Sequence, residues 1–231
     1  AFAALPNFKF FKKSYFGEEY KLRLLSAGRD LITILNSPSH KSSDSLVIAN
    51  PTYKVTTKSY DKTLLNQINL SNRDQLSKFN SNIKLYPLPY TEREGHSIAK
   101  ILNVDLFSGS KANISVIKNS KGPKVLHIAS HSFLSNKSEY KNSNPLMLSR
   151  VALYGAENLL DDIDDDGYLT AFEISQLDLN GTELVVISGC DSALGEFTLG
   201  EGLFGLKRAI TIAGAKTSLL SLWKVDDEAT A

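Results

Sequence analysis

The only cysteine of the chain ends an apolar stretch, Leu184-Val185-Val186-Ile187-Ser188-Gly189-Cys190. A continuous apolar run of this length is typical of a strand that is buried on both faces of a parallel sheet. A second such run covers residues 125–129 (VLHIA), and His131 follows shortly after it. Parallel strands end at a common edge of their sheet, and reactive groups gather beyond that edge. We therefore expect His131 and Cys190 to lie together there.

Short apolar runs alternate with helical patterns along the rest of the chain. Strands or extended segments are predicted at 46–49, 104–107, 125–129, 146–153, 184–189 and 217–222, and helices at 91–102, 112–118, 170–177 and 201–213. This alternation predicts an α/β fold with a mostly parallel central sheet and helices on both faces. Residues 54–84 are rich in Lys, Asn, Ser and Thr, and residues 132–144 are also polar. We expect an insertion or mobile loop at 54–84 and a loop at 132–144.

Two pairs of residues have the spacing of a helix capping box, in which a threonine is followed three positions later by a glutamate. Thr91 and Glu94 form one pair, and Thr170 and Glu173 form the other. The spacing predicts that each pair caps the helix that it begins.

Composition limits the class of protein. With 231 residues, 42% of them hydrophobic, residues 1–231 can form a single domain with one core. The 26 basic and 25 acidic residues nearly cancel, so net charge favours neither nucleic acid nor an anionic membrane as a partner. A single cysteine excludes an internal disulfide and fits a reducing compartment, so we expect a cytoplasmic location. The chain begins without methionine and stops in an expected helix, which suggests a fragment of a larger protein.

His131 and Cys190 are the residue types of a nucleophile and its base. A thiol becomes a good nucleophile as a thiolate, and a neighbouring imidazole can accept its proton. The backbone N–H groups of Cys190 and of Ser132, the residue after His131, are candidate donors to the oxyanion of a tetrahedral intermediate. Spacing alone leaves a second interpretation open, because free cysteine is often a buried small hydrophobe. His127 lies inside an apolar run, so we expect a core histidine hydrogen-bonded to backbone.

Three segments, 127–131 (HIASH), 169–174 (LTAFEI) and 185–190 (VVISGC), resemble the signature blocks of CHAT domains, caspase-like cysteine peptidases related to separase. Further matching blocks lie at 3–6, 88–91 with Glu94, 200–203, 213–215 and 221–227. The resemblance covers nearly the whole chain in the family's order. It implies a caspase-like fold and a cysteine endopeptidase with Cys190 as nucleophile and His131 as base. It also implies protein substrates and regulatory flanking domains or partners such as helical repeats. The chemistry of a thiol nucleophile and an imidazole base requires no cofactor, so we expect none.

The chain departs from the family pattern at three places. Ser132 stands where the family often has glycine, and Ser188-Gly189-Cys190 replaces the usual serine-alanine-cysteine, which we expect to be a mild change. The terminal helices of a full domain are also missing. An alternative therefore stays open, a catalytically inert CHAT scaffold that binds partners.

Acidic residues near the expected site suggest a substrate preference. The segment 223–227 (WKVDD) resembles one in separase, which cleaves after arginine and uses an acid there to bind that residue. By this resemblance Asp227 contributes to an acidic S1 pocket, and Asp191, directly after Cys190, is also assigned to substrate binding. The competing interpretation is that the acids at 226–227 cap a helix.

Two motifs match known ligand sites without the required context. Residues 162–173 fit the calcium-loop pattern D-x-D-x-D-G-x5-E, but an EF-hand needs a helix on each side, and residues 149–156 indicate strand and turn. Residues 200–205 fit the dinucleotide pattern G-x-G-x-x-G, but they do not directly follow a strand. A nucleotide-binding domain is thus a third and weaker interpretation. We predict no metal site.

Overall fold

The computed structural model describes residues 31–32, 40–54, 84–134, 144–157, 166–189 and 201–221. The chain divides into two compact units, residues 1–37 and 38–231, and the following description concerns the second. Cys190, Asp191, Asp227 and nearly all of the predicted insertion at 54–84 lie outside the described residues.

The second unit contains two sheets and four helices among its described residues. In chain order the elements are β1 (Leu46–Pro51), α1 (Pro89–Leu102), β2 (Leu106–Gly109), α2 (Ile114–Asn119), β3 (Val125–Ala129), β4 (Ser132–Leu134), a 3₁₀ turn (Pro145–Met147), β5 (Ser149–Ala152), β6 (Tyr168–Thr170), α3 (Ala171–Ile174), β7 (Leu184–Ser188), α4 (Glu201–Ile212) and β8 (Ser218–Leu220).

The central sheet has five strands in the order β2-β1-β3-β7-β8, and every neighbouring pair is parallel. The two strands predicted to carry the site are adjacent, with Ala129 of β3 opposite Ser188 of β7. The predicted strand at 125–129 has the observed bounds, while β2 begins two residues later than predicted. The prediction of a mostly parallel central sheet is confirmed.

Helices cover both faces of this sheet. Ile48 of β1 belongs to the main hydrophobic core, which includes Ile117 of α2 and Ile210 of α4. Successive strand residues point to opposite faces, so Ala49 faces the other side. There α1 approaches so closely that a Cβ added to Gly95 would lie 2.6 Å from the Cβ of Ala49. The small side chains of Gly95 and Ala49 therefore allow α1 to pack directly against this face of the sheet, as the predicted α/β layering requires.

A second sheet follows His131, and the sequence did not reveal it. Strands β4, β5 and β6 form an antiparallel sheet in that order. The predicted loop at 132–144 is wrong for its first three residues, because Phe133 is buried and anchors β4 in a second apolar cluster. That cluster also contains Tyr53, Leu85 and Tyr168.

The two expected capping boxes have different outcomes. Thr170 accepts from the N–H of Glu173, whose carboxylate accepts from the N–H of Thr170, so this box is confirmed. The box at Thr91 is wrong, because α1 already begins at Pro89 and Thr91 Oγ1 donates to the carbonyl of Leu88 at 2.7 Å. The Glu94 side chain does not cap α1 and instead contacts residues of the sheet.

Within the described ranges, none of the helices combines the length and apolarity needed to cross a bilayer.

Candidate active site

The structure brings His131 to the same sheet edge as the chain that runs into Cys190. His131 lies two residues beyond β3, next to the end of β7. The N–H of Ser130 donates to the carbonyl of Ser188 at 3.0 Å, which continues the strand pairing past β3. Ser132 Oγ then donates to the carbonyl of Gly189. The described contacts therefore reach the residue directly before Cys190.

The imidazole of His131 is held in one orientation. Its Nε2 lies 2.8 Å from the carbonyl oxygen of Tyr86, and the side chain is buried. A carbonyl can only accept, so Nε2 carries the proton, and in the neutral ring the lone pair lies on Nδ1. The rings of Tyr53 and Phe133 pack against the imidazole with centroids 5.3 and 5.9 Å away. This arrangement provides a base at Nδ1.

The backbone on either side of His131 is also fixed. Ser130 Oγ donates to the carbonyl of Ala152, and since a hydroxyl has one hydrogen, the Tyr53 hydroxyl is the donor in its 3.0 Å contact with Ser130 Oγ. The carbonyl of His131 accepts from the N–H of Ala152 at 2.9 Å. Tyr53 therefore supports His131 through both its ring and its hydroxyl.

A buried carboxylate joins the two strands that lead to the site. Glu94 of α1 accepts from Ser188 Oγ at 3.1 Å through one oxygen, and its other oxygen lies 3.0 Å from His127 Nε2. The prediction that His127 bonds to backbone is wrong for this nitrogen, because its nearest partner is a carboxylate. His127 Nε2 lies within ion-pair distance of this carboxylate but makes no hydrogen bond in the described part of the structure.

Gly189 adopts a conformation that other residues rarely reach. Its φ is +130°, and a Cβ at this position would lie 1.8 Å from the carbonyl oxygen of Ser130. The expectation that glycine in place of alanine is a mild change is therefore wrong. Alanine would require this part of the backbone to move.

The two rejected ligand motifs have other structural explanations. One oxygen of Glu173 caps α3 through Thr170, and the other lies 3.0 Å from Lys118 Nζ. This supports a helix cap rather than a calcium ligand. The glycine motif lies at the start of α4 (Glu201), well separated from the end of β7 at Ser188, which agrees with its rejection. No group of three metal-binding side chains occurs among the residues that the structure describes.

Sequence reasoning identified His131 and Ser132, which the structure places at the sheet edge, but it missed three supporting groups. These are the Tyr86 carbonyl, Tyr53 and Glu94. Two polar residues within adjacent apolar runs, His127 and Ser188, were an available signal that a buried polar partner is needed. The assigned roles of Cys190, Asp191 and Asp227 stay predictions.

Comparison with known proteins gives one finding about the whole chain. A family model described as the CHAT domain matches residues 1–231. No curated protein matches the sequence.

Proposed function

Because the chain belongs to the CHAT domain family, which is related to caspase-like peptidases, we propose that it is a cysteine endopeptidase with Cys190 as nucleophile and His131 as base. The observation that carries the proposal is the buried His131. Its Nε2 is held by the Tyr86 carbonyl, and it lies at the sheet edge shared with the segment leading to Cys190. A histidine held in this tautomer has the lone pair that thiol deprotonation requires.

The reaction follows from these roles. Nδ1 of His131 takes the proton of the Cys190 thiol, and the thiolate attacks the peptide carbonyl carbon. The C–N bond then breaks as the imidazolium gives its proton to the leaving amine, which leaves a thioester. Water, deprotonated by His131, attacks the thioester, and the C–S bond breaks to release the acid. The backbone N–H groups of Cys190 and Ser132 are the proposed donors to the oxyanion in both steps.

Substrate choice forms the second part of the proposal. Asp227 and Asp191 provide negative charge for a basic P1 side chain, which an acidic pocket stabilises by charge pairing. The substrates are proteins, and flanking helical repeats or partners control access. No membrane or nucleic acid is involved directly.

A peptide library cleaved by the protein and read by mass spectrometry tests this function. We expect cleavage after arginine or lysine, no cleavage by Cys190→Ala, and reduced selectivity in Asp227→Asn. Ser175→Ala is the matched control, because it removes an exposed hydroxyl that donates only to the Phe172 carbonyl.

Three results would count against parts of this proposal. Cleavage after aspartate or leucine alone would refute the basic preference but not the peptidase. Cleavage that persists in Cys190→Ala would refute the nucleophile. Absence of cleavage, together with unchanged partner binding by Cys190→Ala, would favour the inert scaffold.

A further inference from the structure

Glu157 joins the two chain segments that contact the imidazole of His131. One segment contains Tyr53, whose ring packs against the imidazole with the two centroids 5.3 Å apart. The other contains Tyr86, whose carbonyl oxygen lies 2.8 Å from Nε2 of His131. Glu157 donates its backbone N–H to the Tyr53 carbonyl at 2.9 Å, and its carboxylate accepts from the N–H of Leu85. A single residue therefore connects both segments.

The segment that carries the Tyr86 carbonyl has little backbone freedom. Pro87 follows Tyr86 directly, and Pro89 begins α1. A proline fixes its own φ at about −65° and keeps the residue before it out of the helical region. Leu88, between the two prolines, accordingly has φ −111° and ψ 82°. Because the chain is stiff on one side of Tyr86, a bond that holds Leu85 on the other side limits where the Tyr86 carbonyl can lie.

Leu85 is anchored by its side chain as well as by its N–H. The side chain is buried in the second apolar cluster, which also contains Phe133, a residue that packs against the imidazole. The bond from the Leu85 N–H to Glu157 is partly buried, and a hydrogen bond to a carboxylate is roughly twice as strong as one between neutral groups. Removing the carboxylate takes away this bond and leaves the packing of Leu85 in place.

From these contacts we propose that Glu157 is a positioning residue for His131. Its carboxylate holds Leu85, so that the Tyr86 carbonyl stays in place to accept from Nε2 of the imidazole. The inference rests on the proposed peptidase function and deepens it, because a proton held on Nε2 leaves the lone pair of Nδ1 for the thiol. Glu157 itself touches neither the substrate nor the reacting atoms, and it acts through the two segments that contact the base.

The imidazole N–H gives a readout that does not depend on catalysis. In protein isotope-labelled at the histidine nitrogens, NMR follows the exchange of the Nε2 proton of His131 with water at a pH at which the ring is neutral. His131→Ala assigns the signal. We expect Glu157→Ala to speed this exchange by about tenfold or more, since a hydrogen bond to a charged group changes an equilibrium by at least that factor. The ring signals of His127, which lies near Glu94 instead, are the internal control and should not respond.

Peptide cleavage is measured on the same protein. The rate should fall by about tenfold in Glu157→Ala, a part of the roughly 10²–10⁴-fold that a positioned acid or base contributes.

Three further variants separate the hydrogen bond from charge and from general stability. Glu157→Gln keeps an acceptor oxygen and should restore slow exchange and cleavage. Glu157→Asp keeps the charge but shortens the side chain, so it should behave like Glu157→Ala. Glu92→Ala is the matched control, because it removes an exposed carboxylate of α1 that accepts from Asn50 Nδ2 at 3.2 Å, and it should change neither readout. Thermal unfolding shows that each variant is folded.

The two readouts distinguish failure of the inference from failure of the proposed function. Slow exchange that persists in Glu157→Ala and Glu157→Asp would overturn the inference, as would fast exchange that Glu157→Gln does not reverse. Fast exchange with unchanged cleavage would also overturn it, because the base would then not need this support. A protein that cleaves no peptide would refute the proposed peptidase instead, and the exchange of the imidazole proton would still support or overturn the positioning of His131 by Glu157.

Discussion

Removing the Glu94 carboxylate should lower the free energy of unfolding. The carboxylate accepts from Ser188 and lies at ion-pair distance from His127, and all three residues are buried. Glu94→Ala leaves the buried Ser188 hydroxyl without its hydrogen-bond acceptor, and a buried unsatisfied polar group costs about 1–3 kcal/mol. We therefore expect a loss of about 1–3 kcal/mol in the free energy of unfolding. A loss of this size is readily measured against the roughly 5–15 kcal/mol typical of a domain.

Urea unfolding followed by circular dichroism measures this loss, and a double-mutant cycle assigns it. Ser188→Ala removes the hydroxyl that donates to Glu94, so the two substitutions should be coupled by about 1–3 kcal/mol. Glu183→Ala is the control, an exposed glutamate beside β7 whose replacement should change stability by no more than about 0.5 kcal/mol.

Two results would contradict this role of the Glu94 carboxylate. One is a loss below about 1 kcal/mol in Glu94→Ala, within the usual net value of a single hydrogen bond. The other is strict additivity between Glu94→Ala and Ser188→Ala. Either would show that the bridge between α1 and β7 contributes little.

Three other predictions follow from the described contacts. Gly95→Ala should lower the melting temperature despite the better helix propensity of alanine, because its Cβ would meet Ala49 at 2.6 Å and Leu106 at 2.8 Å; an unchanged or raised value would contradict this close packing. Burial raises the pKa of Tyr168 from 10.0 to about 12, so the folded state keeps a proton that the unfolded chain loses. Stability should be full below about pH 10 and fall by about 3 kcal/mol as the pH rises through 12, and the same decline in Tyr168→Phe would contradict this origin. Calorimetric titration should detect no micromolar calcium binding, and binding abolished by Glu173→Gln would overturn the helix-cap interpretation.

The sequence predicted the parts of the fold that leave a continuous pattern. Buried parallel strands such as β3 and β7 are mostly apolar runs, so their positions and shared edge could be inferred from the order of residues along the chain. The placement of His131 beyond that edge followed from strand direction. The family match then applied to the whole chain.

The sequence could not predict features that depend on tertiary contacts or on backbone atoms. Strand β4 has three residues, too few to show alternation, and its burial depends on Phe133 reaching a distant cluster. The Tyr86 carbonyl that orients His131 carries no side-chain signature. Glu94 has capping-box spacing, but α1 begins earlier and its carboxylate faces the sheet.

The pH dependence of Cys190 alkylation by iodoacetamide, with and without His131, tests whether the two residues form a catalytic pair. If His131 takes the thiol proton, the unaltered protein reacts as a thiolate well below pH 8.5, the ordinary pKa of a free thiol being about 8.5. His131→Ala should move the curve back toward that value. Superimposable curves for the two proteins would contradict the claim that this imidazole takes the proton of the thiol.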